Sequence, residues 1–158
     1  MVKINYLKLI SSIVICQLAG IIGSFFTSSS VSNWYVTLNK PFFNPPSWVF
    51  GPVWITLYLM MGISLYIVWN GGLRNKHAKI AITIFGIQLL LNSVWSILFF
   101  GLQSPLSAFI EIVLLWGAIL ATIIYFYRIS KIASYLLIPY FLWVSFAAVL
   151  NLAIVYLN

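Results

Sequence analysis

Residues 105–127 read PLSAFIEIVLLWGAILATIIYFY, an apolar run whose only charged residue is Glu111. A helix that crosses the hydrocarbon core of a bilayer needs about 20 such residues. Four similar runs flank this one, at approximately 9–28, 47–69, 78–100 and 133–156. Barrel strands would instead alternate in polarity over segments of about 10 residues, and the sequence has no such alternation. It therefore predicts an all-α integral membrane protein, a single domain over 1–158 with five transmembrane helices.

The composition supports a membrane location. Apolar and aromatic residues form 63% of the chain and charged residues only 6%, whereas soluble domains carry about 25% charged residues. The formal charge of +7 comes from eight Lys and Arg against the single acid Glu111, and these charges are too few for a nucleic-acid-binding face. The first run follows Lys3 and Lys8, as a signal peptide would. It lacks an A-x-A cleavage pattern and is long enough to span, so we interpret it as the first helix.

The basic residues lie almost entirely on one side of the predicted bundle. One side receives Lys40 alone, and the other receives Lys3, Lys8, Arg74, Lys76, Lys79, Arg128 and Lys131. Cytoplasmic loops of membrane proteins collect Lys and Arg. In a plasma-membrane protein, the asymmetry therefore predicts a cytoplasmic N-terminus and an external C-terminus; the membrane that we expect is a bacterial plasma membrane.

The longest connection, at 29–46, reads SSVSNWYVTLNKPFFNPP. Three prolines and several aromatic residues make it neither a transmembrane span nor a flexible linker. Long ordered loops in compact proteins are commonly functional, for example as lids over binding sites. We therefore expect this segment to be an ordered lid on the outer side of the bundle.

Polar and aromatic residues recur at steps of three and four in four of the spans. They are Gln17, Gly20, Ser24 and Ser28; Trp54, Tyr58 and Met61; Gln88, Asn92, Trp95 and Phe99; and Tyr140, Trp143, Ala147 and Asn151. Aromatic belts at the membrane surface explain tryptophans at the ends of spans, but not Trp54, Trp95, Trp116 and Trp143. Two arrangements fit this pattern. One is a cavity among spans one, two, three and five that is covered by the lid, and the other is tight helix packing without a cavity.

The sequence lacks the residue sets of common catalytic machinery. Cys16 and His77 are the only residues of their kinds, and Glu111 is the only acid. An intrachain disulfide, a Cys-rich metal site and a two-carboxylate mechanism are thereby excluded, and we expect neither metal nor cofactor. We interpret His77 as a solvated loop residue rather than a haem ligand. Glu111 must be protonated or hydrogen-bonded to a neighbouring helix, because a lone buried carboxylate is costly.

The stretch from Trp34 to Gly62, WYVTLNKPFFNPPSWVFGPVWITLYLMMG, strongly resembles the translocator protein family, also called tryptophan-rich sensory proteins or peripheral benzodiazepine receptors. Two further stretches match in the same order, QLLLNSVWSILFFG at 88–101 and IPYFLWVSFAAVLN at 138–151. Glu111 falls where the family usually has an acid. The resemblance covers the whole chain, indicates a bacterial member, and implies a five-helix fold that agrees with the spans.

The resemblance also implies a ligand. Proteins of this family bind porphyrins, notably protoporphyrin IX, and synthetic isoquinoline carboxamides in a pocket under the lid. Matching motif positions assigns to the pocket Tyr35, Pro45, Trp54, Tyr58, Asn92, Trp95, Trp143 and Ala147. Three functions are open: a membrane receptor or sensor that regulates tetrapyrrole metabolism or stress responses, an enzyme, and a porphyrin transporter. The enzyme would degrade porphyrin with light and oxygen, using Trp54 and Trp143. Transport is least favoured, because the chain has no repeated halves.

The C-terminal stretch departs from the family's mammalian members. Those proteins bind cholesterol through a motif that needs Tyr followed by Arg. Here the stretch is AAVLNLAIVYLN, with Leu152 at the Tyr position and no basic residue after it, so we expect no cholesterol binding through this motif. The expected partners are a porphyrin or similar flat apolar ligand, membrane lipid and, because of the small-residue faces, a second copy of the chain.

Overall fold

The computed structural model describes residues 4–72 and 76–158, and the regular structure within these ranges is helical. These ranges contain five helices long and apolar enough to cross a membrane: α1 Tyr6–Val31, α2 Ser47–Asn70, α3 Lys76–Gly101, α4 Pro105–Tyr127 and α5 Lys131–Leu157. The predicted all-α fold with five transmembrane helices is confirmed. Helix α1 extends beyond the predicted 9–28 at both ends, and the limits of the other four helices agree within two residues.

The extension of α1 shortens the predicted lid, which occupies 32–46. Thr27, Ser28 and Ser29 continue the helix, and their hydroxyls donate to carbonyls of the preceding turn at 3.0, 3.5 and 3.3 Å. Because these hydroxyls are bonded within the helix, polar residues can extend it past the apolar run. At the other end, the Asn5 side chain caps α1 by accepting from the backbone N–H of Lys8 at 3.1 Å.

The last turn of α3 is a π-helix over Ile97–Gly101. The backbone N–H of Leu102 donates to the carbonyl of Ile97 at 2.8 Å, which closes the wide turn. Such turns shift the faces of a helix and are frequent at functional sites. Here Phe99 lies within ring contact of both Trp34 and Tyr35 of the lid, so the π turn packs against that segment.

The helices pack unevenly around the bundle. Helix α1 lies against α2 and α3, α3 against α4, and α4 against α5. Helix α2 packs closely on the first part of α5, Lys131–Leu136, and much less on the second part, Ile138–Leu157. Helices α2 and α5 therefore diverge in the half of the bundle that carries the lid, and this divergence leaves a space between them.

Helices α1 and α2 cross closely at Gly62. A Cβ atom at this position would lie 2.7 Å from Cα of Ile13, a distance that real side chains do not adopt. Only glycine fits this crossing without a backbone shift. Further along, Phe85 of α3 stacks on Phe126 of α4 with ring centroids 5.6 Å apart, which fills the core of the half away from the lid.

The two ends of the bundle differ in charge. We call one the basic end, since the described basic residues other than Lys40 lie there: Lys8, Lys76, Lys79, Arg128 and Lys131. Lys40 lies at the lid end, and Lys3 and Arg74 fall outside the described residues. His77, expected in a loop, lies in the first turn of α3 with its side chain exposed. Which end faces the cytoplasm remains a prediction.

Candidate ligand-binding site

A cavity of about 470 Å³ occupies the space where α2 and α5 diverge. Its walls come from α1, α2, α3, α5 and the lid, so the arrangement with a cavity is the one adopted, and tight packing without a cavity is not. The lining comprises Gln17, Gly20, Ile21, Gly23, Ser24, Thr27, Val31, Tyr35, Ser47, Phe50, Gly51, Trp54, Ile55, Tyr58, Trp95, Ser96, Phe99, Phe100, Trp143, Ala147, Leu150, Asn151 and Ile154. Eight of these residues are aromatic and none is charged.

Trp54 of α2 forms one wall of the cavity. Its indole stacks on Tyr58 one turn further along, with centroids 5.4 Å apart and an interplanar angle of 28°. The ring of Tyr140 from α5 meets it edge-on at 6.3 Å. Aromatic pairs in these geometries are stabilised by about 0.5–1.5 kcal/mol beyond burial, so the orientation of Trp54 is fixed by both helices.

Trp95 of α3 is held by a polar connection across three helices. Its Nε1–H donates to Oδ1 of Asn151 at 3.1 Å, and Nδ2 of Asn151 donates to the carbonyl of Pro105 at 2.8 Å. Its ring also stacks on Phe99 with centroids 5.1 Å apart. Asn151 therefore fixes the indole and at the same time adds a hydrogen bond to a carbonyl at the start of α4.

Trp143 of α5 faces the cavity opposite α1. Phe50 and Phe146 contact its ring at centroid distances of 6.0 and 5.6 Å. Neither its indole N–H nor that of Trp54 donates a hydrogen bond to any residue that the structure describes. Both N–H groups are therefore free to bind an acceptor on a ligand.

A chain of buried hydrogen bonds lies below the cavity. The Tyr58 hydroxyl donates to Oδ1 of Asn92, Nδ2 of Asn92 donates to the Tyr140 hydroxyl at 3.1 Å, and that hydroxyl donates to Oε1 of Gln88 at 2.9 Å. Asn92 is buried and lies behind Tyr58 rather than in the lining. The chain joins α2, α3 and α5 where they still pack closely, so it fixes the floor of the cavity.

Tyr35 is the lid residue that reaches the cavity, and it is buried. Its hydroxyl donates to Oδ1 of Asn44 at 2.7 Å, and Nζ of Lys40 lies 4.8 Å from the centre of its ring. Burial raises the pKa of the Tyr35 phenol, and the hydrogen bond to Asn44 offsets part of that increase. Pro45 is not in the lining; its carbonyl accepts from Nδ2 of Asn44 at 3.1 Å and so helps to hold Tyr35 in place.

The lid is tied to the end of α5. The backbone N–H of Asn39 donates to Oδ1 of Asn158 at 3.0 Å, and Nδ2 of Asn158 donates back to the Asn39 carbonyl at 3.1 Å. The Asn39 side chain also donates to the carbonyl of Leu157 at 3.2 Å. These contacts join residues more than a hundred positions apart, and they give the lid a fixed position across the bundle.

The cavity opens sideways between α1 and α2. Ile21 and Ser24 of α1 and Gly51 and Ile55 of α2 line it and are exposed at the outer surface of the bundle. Below them, Nε2 of Gln17 donates to the carbonyl of Ile55 at 3.1 Å and closes the lower edge of the opening. The cavity is therefore not enclosed on this side, where its lining residues are themselves exposed.

The structure brings together most of the residues assigned to the pocket from sequence. Those in the lining are Tyr35, Trp54, Tyr58, Trp95, Trp143 and Ala147; Pro45 and Asn92 support them from behind. Phe50 and Phe100 were missed. Phe50 lies four positions before Trp54, so helical periodicity could have identified it. Trp116, which aromatic belts did not explain, lies away from the cavity and donates from Nε1 to Oγ of Ser145 at 2.9 Å.

Glu111 is buried in α4, and neither carboxyl oxygen has a hydrogen-bond partner among the described residues. The expected alternative of a bond to a neighbouring helix is therefore not found there. Nε2 of Gln88 is likewise buried without a partner in those ranges. An ionised carboxylate in such surroundings would be costly, which leaves the protonated form as the remaining expectation.

Comparison with known proteins gives a consistent result along the chain. A family model described as the TspO/MBR family matches residues 12–157. The tryptophan-rich protein TspO of Archaeoglobus fulgidus is 51% identical over 154 residues, covering 98% of this chain and 99% of that protein. The human translocator protein is 40% identical over 132 residues, covering 82% and 78%. The tryptophan-rich sensory protein of Cereibacter sphaeroides is 32% identical over 125 residues, covering 79% and 77%.

Proposed function

Since this chain belongs to the TspO/MBR family, we propose that it is a membrane receptor or sensor for porphyrins of the protoporphyrin IX type. The ligand binds in the cavity below the lid, and isoquinoline-type compounds occupy the same space. Binding regulates tetrapyrrole metabolism or a stress response. The observation that carries the proposal is a cavity of about 470 Å³ with three tryptophans on separate helices in its walls.

The chemistry of the walls suits a flat apolar ring. Trp54, Trp95 and Trp143 come from α2, α3 and α5, so aromatic surfaces face the space from several directions. Flat ligands gain both buried area and ring contacts in such a site. The volume lies within the range of about 300–1,000 Å³ that small-molecule sites occupy. The opening between α1 and α2 lets a membrane-soluble pigment enter without passing the lid.

The polar groups suit the edges of a porphyrin. The free indole N–H groups of Trp54 and Trp143 can donate to ligand acceptors. Lys40 lies over Tyr35, and the one acidic side chain of the sequence, Glu111, lies in α4, so no acidic side chain of the described residues pairs with this cation. A porphyrin whose carboxylates point toward the lid would bring its negative charge close to Lys40.

Signalling would use the lid. Tyr35 lines the cavity, whereas Asn39, four residues later, is bonded to the end of α5. A ligand that displaces Tyr35 would therefore strain the connection between the lid and α5. The relative in Cereibacter sphaeroides is named a sensory protein, and a lid displaced by the ligand would be the surface that a partner recognises.

The test is a titration of the purified protein with protoporphyrin IX in the dark, followed by tryptophan fluorescence. The Trp54→Phe/Trp143→Phe variant is compared with Trp116→Phe, a matched control that removes a tryptophan outside the cavity. We expect saturable quenching in the parent and the control, and roughly 5- to 150-fold weaker binding in the double variant, since each lost contact contributes about 0.5–1.5 kcal/mol. Equal binding by all three proteins would place the ligand elsewhere.

A second candidate function is light- and oxygen-dependent degradation of the bound porphyrin. The observation that favours it is that two oxidisable indoles, Trp54 and Trp143, line the same cavity with free N–H groups. Illumination of the loaded protein in air should then bleach the porphyrin absorbance, and the double variant should abolish the bleaching while Trp116→Phe preserves it. Stable absorbance in the illuminated parent would rule out degradation and leave the receptor function as the remaining proposal.

A further inference from the structure

A second cavity of about 280 Å³ lies at the basic end, between the end of α4 and the start of α5. Ile124 and Tyr127 of α4 line one side, and Tyr135 and Ile138 of α5 line the other. All four side chains are at least 40% exposed on the outer surface of the bundle. The cavity is therefore a groove that faces the membrane, separate from the tryptophan-lined cavity at the lid end. We call it the α4–α5 groove.

The groove is built into the path of the chain. Helix α5 is interrupted at Leu137, between the segments Lys131–Leu136 and Ile138–Leu157, next to Pro139, which lacks a backbone donor. Ser134 and Ile123 also line it, and Oγ of Ser134 donates to the carbonyl of Ile123 at 3.0 Å, which joins the two helices across the groove. The groove therefore lies beside the interruption of α5.

Two cations stand at the rim of the groove. Arg128 lines it, with its guanidinium 5.6 Å from the centre of the Tyr125 ring, and Nζ of Lys131 lies 5.6 Å from the Tyr127 ring. Both side chains are exposed. Glu111 is the only acid in the chain, and it lies about 25 Å away along α4 at 1.5 Å per residue. No carboxylate side chain of the protein neutralises the rim.

We propose that the α4–α5 groove binds one anionic phospholipid. Its phosphate lies between Arg128 and Lys131, at the level where headgroups meet the ends of helices, and an acyl chain runs along Ile124 and Ile138. The combination of an apolar groove with two uncompensated cations at its membrane-surface end matches the amphipathic form of such a lipid. A second copy of the chain is a poorer occupant, because it carries no exposed acid to pair with these cations.

The experiment is native mass spectrometry of the detergent-solubilised full chain with dioleoyl phosphatidylglycerol, and with dioleoyl phosphatidylcholine as the zwitterionic probe. The variant Arg128→Gln/Lys131→Gln is compared with Lys76→Gln/Lys79→Gln, which removes the same charge from the same end on α3. We expect the parent to prefer phosphatidylglycerol, the first variant to bind it roughly 30-fold more weakly, and the control to stay within about threefold of the parent.

A third variant, Ile138→Trp, fills the apolar part while leaving both cations in place, and should weaken the binding of both lipids. Circular dichroism checks that each variant retains its helices. Equal losses in the two charge variants would mean diffuse attraction to the basic end and would overturn the site. Absence of a preference for phosphatidylglycerol, unchanged binding by Ile138→Trp, or a dimer that excludes lipid from the groove would also overturn it.

Discussion

The replacement Asn92→Leu tests the buried hydrogen-bond chain that supports the cavity. Leucine has nearly the shape of asparagine but no polar atoms. It removes the acceptor of the Tyr58 hydroxyl and one donor to the Tyr140 hydroxyl, whereas Tyr140 keeps its bond to Gln88. Tyr58 is buried, and among the described residues its hydroxyl bonds Asn92 alone in the parent. The variant therefore leaves a buried donor without an acceptor.

We expect the free energy of unfolding to fall by about 1–4 kcal/mol. The lower limit comes from two lost interhelical bonds at about 0.6 kcal/mol each in membrane proteins. The upper limit adds an orphaned donor, which costs about 1–3 kcal/mol, to one lost bond. Reversible unfolding in mixed micelles, followed by tryptophan fluorescence, would measure the change. The Trp54 stack on Tyr58 should also loosen, so porphyrin affinity should fall with stability.

A double-mutant cycle of Tyr58 and Asn92 tests whether the loss of stability comes from the orphaned hydroxyl. Tyr58→Phe removes the hydroxyl that Asn92→Leu would orphan, so the combined variant should be more stable than Asn92→Leu alone. Additive losses from the two changes would show that the hydroxyl and the amide do not depend on each other. A loss under about 0.5 kcal/mol for Asn92→Leu would show that the chain contributes nothing measurable.

Three further changes probe other parts of the bundle. Glu111→Gln should leave the free energy of unfolding unchanged or raise it by about 1 kcal/mol, because an amide replaces a buried carboxyl without partners; a loss above about 3 kcal/mol would reveal a partner of the carboxylate. Gly62→Ala should cost about 1–3 kcal/mol in the same unfolding assay, since its Cβ would meet Cα of Ile13, and parent-like stability would contradict the close crossing. Asn39→Ala/Asn158→Ala removes the three bonds between lid and α5 and should speed hydrogen exchange in the lid roughly tenfold or more; unchanged exchange would mean that ring contacts alone hold the lid.

The spans were predictable because the hydrocarbon core imposes a length and a polarity on any helix that crosses it. The start of α4 at Pro105 matched, since proline is favoured in the first turn of a helix. The end of α1 did not match, because Ser28 and Ser29 satisfy their hydroxyls within the helix and so carry it beyond the apolar run. A hydropathy profile does not detect such hydrogen bonds between a side chain and the carbonyls of its own helix.

The helix faces that line the cavity were predictable from the sequence, but the level of the bundle at which the cavity begins was not. Spacing and resemblance put Trp54, Trp95 and Trp143 toward one space, and the structure brings them to one cavity. Asn92 shares a helix face with Trp95, but it lies where α2, α3 and α5 still pack closely, so it bonds two tyrosines instead of lining the cavity. Whether a residue lines the cavity or packs below it depends on how far the helices diverge at its level. The sequence of one helix does not determine that separation.

The contacts between aromatic rings at the lid were also not predictable from the sequence. Phe99 meets Trp34 and Tyr35 because α3 ends in a π turn, and one extra residue per turn shifts the face that follows it.

The sequence left undecided how the buried carboxyl of Glu111 is accommodated, for a different reason. A protonated carboxyl and a hydrogen-bonded one are both compatible with a lone acid in an apolar run, and only the neighbours supplied by the fold distinguish them.

The divergence of α2 from the second part of α5 separates two properties that most binding sites combine. The empty volume comes from the paths of the helices, which are anchored by packing at the basic end and by the bonds between Asn39 and Asn158 at the lid end. The character of the walls comes from side chains that point into that volume and have little part in setting it. Substitution of Phe50 or Ala147 should therefore alter which molecules bind, while the arrangement of the helices around the cavity is retained. A scaffold of this kind can change its ligand over evolution, or by engineering, while its architecture stays constant.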